Sequence, residues 1–353
     1  MARVEKYITV GHIKGKRIRK HFYGNSAQEV EAKIRKYFAD NAKITNPSDA
    51  TFKQYRKQWQ SAYKDNKSNA TKEMYDGIVR KFDSIDDKKL RYITKSDCQK
   101  IVNESWEHPR TAELVKQTLN QIFNTAIDDG IIASNPAKNI EVPKYRAKEK
   151  RALTDEEIQA VKNADLNDSD RMFVTILMTF GLRPSEALAL QRNDFDMTND
   201  VLHITKALSI TRYETVVKST KTDANRDIPI PKQIKPMLNT FFRQNKRFYL
   251  FVNKNGHLHT KSSYKRLSER IFKAVDIAYN KDNENMFVNT NLNFYDFRHH
   301  RATQLFYLCQ KGTISTKKAA YLMGHSEQIF LSVYSHIDEK KEDTESLYAD
   351  LVI

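Results

Sequence analysis

The stretch Gly324-His325-Ser326 through Tyr334, GHSEQIFLSVY, sets a histidine and a tyrosine nine residues apart. A phenol can serve as a nucleophile, and a nearby imidazole can move its proton. On one continuous helix nine residues turn through roughly 900°, which puts the two side chains on opposite faces. They can share a site only if the helix starts after the histidine. Gly324 marks a turn, and Ser326 is a good N-cap for a helix beginning at Glu327, so His325 falls in the turn and Tyr334 near the helix end. Taken alone, the stretch reads more simply as a helical hairpin with a stray histidine and one buried tyrosine. A tyrosine nucleophile also needs help. With a pKa of about 10, only about one phenol in a thousand is ionised at pH 7, a gap of about 4 kcal/mol. Clustered cations narrow that gap.

Composition supplies the cations. The chain of 353 residues carries a formal charge of +16 and has a pI near 9.5. That balance points to a polyanionic partner, nucleic acid first and an anionic membrane surface second. The length predicts two or three domains, and 39% hydrophobic content is enough for real cores. The longest apolar run, Met172 to Leu182, is far short of a membrane span. MARVEKYITV has no secretory apolar region. Cys98 and Cys309 are the only cysteines, which excludes a cysteine zinc cluster and a disulfide framework. A reducing cytoplasm is expected. Histidines at 257, 259, 299, 300, 325 and 336 come without HExxH or paired-cysteine spacing, so neither a metal nor a cofactor is expected.

The elements that must position the chemistry follow in chain order. Residues 1–45 hold eleven Lys/Arg against four Asp/Glu. They read as three short basic strands, with a turn at Gly15-Lys16 and an end at Gly24-Asn25, followed by an amphipathic helix capped by Ser26 and Glu29. Lys14, Lys16, Arg17, Arg19 and Lys20 stud this ribbon and suit groove insertion with phosphate contacts. Residues 48–142 read as all helical, with Phe52, Tyr55, Trp59 and Tyr63 at helical spacing and starts at Thr94 and Thr111. Residues 143–151, PKYRAKEKR, form a cationic linker that includes Lys144 and Arg146. From 152 to 353 the pattern is mixed. Thr154 to Glu157 opens a helix, DRMFVTILMTFG is a buried helix ended by Gly181, and Pro184 starts another. Glu186 lies near enough to Arg183 to orient its guanidinium. VLHIT, ALSITRYETVV and RDIPI read as strands. Helices follow at 232–242, 262–279, within 292–308 and at 315–323. LYADLVI is an apolar tail behind an acidic lead-in.

Four of these segments resemble, in order, the boxes of the tyrosine recombinases, the phage integrase family. TFGLRPSEALAL with Arg183 and Glu186 is similar to the first arginine box. STKTDANRDIPI with Lys221 resembles the β-hairpin lysine, YDFRHHRATQLF with Arg298 the second arginine box, and LMGHSEQIFLSVYSH with His325 and Tyr334 the last. The N-terminal segments resemble the arm-binding ribbon and core-binding helices of integrases from phages and conjugative transposons. The implied fold is mainly α with small β-sheets: ribbon plus helix (1–45), helical core-binding domain (48–142), linker (143–151), and a mostly-α catalytic domain with a small antiparallel sheet and a C-terminal tail (152–353). The implied activity is site-specific recombination. Tyr334 attacks a phosphodiester, giving a 3′-phosphotyrosine and a free 5′-hydroxyl, to integrate and excise a mobile element. Arg183 and Arg298 hold the non-bridging oxygens, Lys221 is the general acid, and His325 binds the phosphate or shuttles a proton.

One position departs from the family pattern. The usual histidine of the second box is Tyr295, which can donate a hydrogen bond but cannot become an imidazolium; His299 is the residue left to substitute. Two other functions use the same segments: a type IB topoisomerase-like enzyme and a DNA-binding regulator with impaired catalysis. The resemblance implies double-stranded DNA with core and arm sites as substrate and a homo-tetramer on it. It also implies an excisionase and a host DNA-bending protein as accessory partners, no membrane, and a cytoplasmic, nucleoid-associated place in a bacterial host.

Overall fold

The computed structural model describes residues 4–13, 16–41, 49–144, 151–219, 225–281 and 287–334. The chain divides into two compact units, Met1–Arg146 and Ala147–Ile353.

The first unit opens with β1 (Val4–Ile13) and β2 (Lys16–Gly24), an antiparallel pair. The ribbon therefore has two strands rather than the expected three. Gly11 does not break the first strand; the register shifts between Thr9 and Gly11, so the irregularity is absorbed as a bulge. In α1 (Ala27–Asn41), Ser26 Oγ accepts from Glu29 N–H as expected, but the Glu29 carboxylate closes on Asn25 N–H, one residue before the cap, rather than on Ser26 itself. Phe22 of β2 is buried against Val30 and Ile34 of α1. The other face of the ribbon leaves Tyr7, Arg19, His21 and Tyr23 exposed, with Arg19 over the Tyr7 ring.

The helical part comprises α2 (Phe52–Lys64), α3 (Asn69–Val79), α4 (Lys95–Asn103) and α5 (Pro109–Asp128). Thr51 and Thr94 close capping boxes at α2 and α4. The last helix starts at Pro109 rather than Thr111, because proline at the first helical position loses no hydrogen bond. Phe52, Tyr55 and Trp59 enter the core with Phe82, Ile101, Leu119 and Phe123, whereas Tyr63, at the helix end, is exposed.

The second unit contains α6 (Asp155–Asn163), α7 (Asp168–Phe180), α8 (Pro184–Ala187), β3 (Phe195–Asp196), β4 (Val201–Ile204), β5 (Lys206–Ile210), β6 (Thr215–Ser219) and β7 (Arg226–Pro229). After these come α9 (Lys235–Gln244), α10 (Lys261–Tyr279), α11 (Phe294–Gln310), α12 (Thr316–Met323) and α13 (Glu327–Tyr334). Among the described residues of this unit there are two small antiparallel sheets, β3-β4-β7 and β5-β6. The stretch ALSITRYETVV, expected as one strand, is the hairpin β5-β6. Its turn needs neither glycine nor proline: Thr211 Oγ1 accepts from Tyr213 and Glu214 N–H and donates to the Glu214 carbonyl. The core gathers α7, β4, α9, α10 and the first turn of α11, with Phe173 edge-on to Phe251 and Phe294. A satellite cluster of α11, α12 and α13 includes Phe306, Met323 and Phe330. Among the described residues, no helix is long and apolar enough to cross a membrane.

Candidate active site

The site is built on the end of α12. That helix stops at Gly324, whose φ of 60° is left-handed. A helix end leaves carbonyls without intrahelical partners, and the helix dipole makes that end attractive to cations. Here three successive carbonyls are each taken by a different arginine. The Leu322 carbonyl accepts from Arg226 Nε at 3.0 Å, the Met323 carbonyl from Arg298, and the Gly324 carbonyl from Arg183 Nη2 at 2.9 Å. His325 follows in the turn. Ser326 caps α13, its Oγ accepting from Ile329 N–H at 3.3 Å.

Local sequence explains each arm. Pro184 keeps Arg183 out of the helical region, at φ −65° and ψ 142°, and starts α8 behind it. Glu186, one turn on, accepts from Arg183 N–H (2.9 Å) and from Arg183 Nη1 (2.8 Å). Arg298 reaches the site from the first half of α11, which packs on α7, and its Nη1 donates to the Gly181 carbonyl at 2.6 Å. Gly181 also has a left-handed φ of 64°, and a side chain there would lie 3.0 Å from Arg301 and Met323. Both glycines are thus required by backbone and by space.

Glu186 is buried. Burial raises its pKa, but the hydrogen bonds and charge of Arg226, and the charges of Arg298 and Arg183, outweigh that and hold it at about 2. For His325 burial and charge act in the same direction. Burial, then Arg298, Arg183, Arg226 and His299, push its pKa down to about 4. Its tautomer follows from donor chemistry. Arginine only donates, so the 2.9 Å contact from Arg298 Nη2 makes His325 Nε2 an acceptor, and the ring is neutral with its proton on Nδ1. That Nδ1 is buried and has no hydrogen-bond partner among the described residues.

Of the residues singled out in the sequence, the structure brings Arg183, Glu186, Arg298 and His325 into one cluster, with His299 close enough to act on His325 by charge. Tyr295 stands one turn before Arg298 on α11 and is 49% exposed. No contact among the described residues joins it to the arginines; its recorded neighbour is Tyr264, whose pKa, pushed up to about 12 mainly by burial, it raises further. Tyr334 ends α13, and its side chain lies outside the described residues, as do Lys221, Lys14, Arg146 and the side chains of Lys16 and Arg17. Arg19 and Lys20 are exposed on β2, and Lys144 is exposed.

Arg226 is the residue that sequence reading missed. Its signal was available: in RDIPI the alternation of a strand puts Arg226 on the same face as buried Ile228. A charged residue on an inward face must have a partner. Arg226 is 3% exposed and grips both Glu186 oxygens, at 3.1 and 2.7 Å.

The family profile described as "Phage integrase family" matches residues 151–341, more than half of the chain. The chain belongs to the phage integrase family. A second profile, the phage integrase N-terminal SAM-like domain, matches residues 51–105. As a family member the chain is a tyrosine-type site-specific recombinase. It is similar to a XerC-like tyrosine recombinase of Caldanaerobacter subterraneus subsp. tengcongensis, 25% identical over 95% of this chain and 92% of that one. The ICEBs1 integrase of Bacillus subtilis is also 25% identical, over 71% of each chain. In fold it resembles the Tn1549 transposon integrase bound to transposon right end DNA, with a TM-score of 0.66 and 22% identity over 85% of this chain and all of that one. A lambda integrase dimer bound to a core site gives 0.64 and 18%, over 90% and 83%.

Proposed function

We propose that this recombinase integrates and excises a mobile DNA element by transient covalent attachment through Tyr334. Its phenolate oxygen attacks a backbone phosphorus. The bond from phosphorus to the 5′ oxygen breaks, and that oxygen takes a proton from Lys221. A 3′-phosphotyrosine remains on the enzyme. Attack by a 5′-hydroxyl on that linkage reverses every step, so strand exchange conserves the phosphodiester and needs no nucleotide hydrolysis. Arg183 and Arg298 bind the non-bridging oxygens and offset the charge that grows in the transition state. His325, neutral with its proton on the buried Nδ1, leaves Nε2 free once Arg298 turns to substrate, an acceptor for the proton that Tyr334 releases. Tyr295 stands where a histidine is usual; it can donate a hydrogen bond there but cannot become an imidazolium.

The observation that carries this reading is the convergence of Arg183, Arg298 and His325 on one helix end, directly ahead of the helix that carries Tyr334. The basic linker and the exposed Arg19 and Lys20 supply backbone contacts to double-stranded DNA. The segments 1–45, 48–142, 143–151 and 152–353 divide these tasks among arm binding, core binding, a strap and chemistry. A homo-tetramer on DNA is the working assembly; one fold neighbour is a lambda integrase tetramer on a Holliday junction.

The test is Tyr334→Phe on a nicked duplex carrying the attachment site cloned from the DNA flanking the gene. Covalent protein–DNA complex should vanish on a denaturing gel, while gel-shift affinity stays within about threefold. A Phe variant that still forms the adduct would place the nucleophile elsewhere.

A further inference from the structure

Arg226 remains without a role in the reaction as described, yet it is almost fully buried and held by three hydrogen bonds. Its side chain is 2% exposed, and its hydrogen bonds among the described residues go to Glu186 and to the Leu322 carbonyl. What it meets is the carboxylate that also holds Arg183. Glu186 Oε1 accepts from Arg183 Nη1 (2.8 Å) and Arg226 Nη1 (3.1 Å); Oε2 accepts from Arg183 N–H (2.9 Å) and Arg226 Nη2 (2.7 Å). Each oxygen is shared between the two residues.

We propose that Arg226 is a positioning and charge-balancing residue for strand cleavage: by sharing Glu186 with Arg183, it leaves the positive charge of Arg183 uncancelled for the substrate phosphate. This rests on the assignment of Arg183 to that phosphate. Arg183 and Glu186 alone would form a neutral pair, oriented but electrostatically spent. Adding Arg226 gives the trio a net charge of +1, and Arg298 raises the cluster to +2. The orientation supplied by the carboxylate is kept, and its charge is offset from behind.

The fit of the surrounding parts supports a dedicated position. Arg226 Nε closes the Leu322 carbonyl, and the next residue of β7 donates its N–H to Tyr321 Oη at 3.0 Å, so β7 is fastened to α12 at two points. A side chain at Gly324 would come within 2.8 Å of Arg226 Nη1, so turn and guanidinium are shaped to each other. Because Glu186 stays ionised down to about pH 2, the charge count holds throughout the working range.

The experiment compares full-length Arg226→Met, Glu186→Gln and the double Glu186→Gln/Arg226→Met on the same nicked duplex, with Tyr334→Phe as control. Arg226→Met should slow covalent-complex formation by about 10² with gel-shift affinity within about threefold, since the loss falls on the transition state. The double variant restores the +2 cluster and should come within about tenfold of wild type. A purely structural arginine predicts the reverse, with the double no faster than the single. If Arg226→Met fails to melt cooperatively, the double decides alone: a rate more than about 10²-fold below wild type overturns the proposal. Wild-type rates in Arg226→Met overturn it as well. Adduct formation by Tyr334→Phe would instead refute the site assignment beneath it.

Discussion

Among the described residues, each unit has a two-pronged arginine–carboxylate pair in which both partners are buried. In the helical unit Arg56 Nε and Nη2 donate to the two oxygens of Asp86 at 2.7 and 2.6 Å. In the other unit Arg226 Nη1 and Nη2 donate to the two oxygens of Glu186 at 3.1 and 2.7 Å. The geometry is alike, and both acids are almost fully buried. The surroundings are not. Among the described residues the Asp86 carboxylate closes on one arginine and the charges cancel. Glu186 is gripped by two arginines with a third nearby, so its charge is exceeded. A cancelled pair is architecture, because it has no field left to act with. An over-matched carboxylate keeps cations fixed in place without neutralising them, the arrangement an anionic transition state requires.

Breaking the closed pair should give the largest effect, and on stability alone. Arg56→Leu strands the Asp86 charge in the core and should destabilise the helical unit by about 3–5 kcal/mol, while Arg56→Leu/Asp86→Leu should be close to neutral. Both tryptophans, Trp59 and Trp106, lie in this unit, so urea unfolding followed by their fluorescence reads it selectively. A double variant as unstable as the single would mean that Asp86 does more than balance Arg56.

The over-matched side should fail in the opposite manner. The Arg183 side chain is 36% exposed, and its removal leaves Glu186 paired with Arg226. Arg183→Ala should therefore change stability by less than about 1 kcal/mol. It should still slow covalent-complex formation by about 10²–10³, or about 2.7–4 kcal/mol of barrier. Thermal melting and single-turnover cleavage measure the two separately. A loss of melting temperature without a loss of rate would erase the distinction between the two pairs.

Local chemistry made much of this legible in advance. The caps at Ser26, Thr94 and Thr154, the stop at Gly181 and the turn–helix at Gly324 to Glu327 are all decided within about four residues, and a sequence shows them directly. What escaped was decided by distance or by an uncommon substitute. Thr211 makes a hairpin turn with its hydroxyl where glycine or proline would have announced one. The irregularity between Thr9 and Gly11 is absorbed as a bulge, so Val4 to Ile13 stays one strand. Arg226 finds Glu186 at a separation of 40 residues and Leu322 at 96, and no local rule reaches so far. Arg183 and Arg298 were legible as residues, but the carbonyls at the end of α12 that gather them with Arg226 belong to the fold.

The smallest effect is a single proton, and it asks whether the cationic excess around Glu186 is felt by its neighbour. His325 is held neutral, its pKa lowered from 6.5 to about 4 by burial and by the arginines. The unfolded chain takes up a proton at this position below about pH 6.5, and the folded chain does not until about pH 4. Stability therefore falls as pH falls through that window, by at most about 2 kcal/mol between pH 7 and 5. Replacing His325 with Asn should remove that part of the pH slope. The imidazole resonances of His325 in the DNA-free protein should stay constant from pH 8 to 5.5. His259 and His300 are also lowered mainly by burial, so the difference between wild type and His325→Asn, not the raw slope, is the quantity to compare. Arg183→Ala removes one of the named charges and should raise the midpoint for His325. A midpoint that stays put in that variant would mean burial alone holds the ring neutral, and that the excess charge of the cluster does not reach the next residue along the turn.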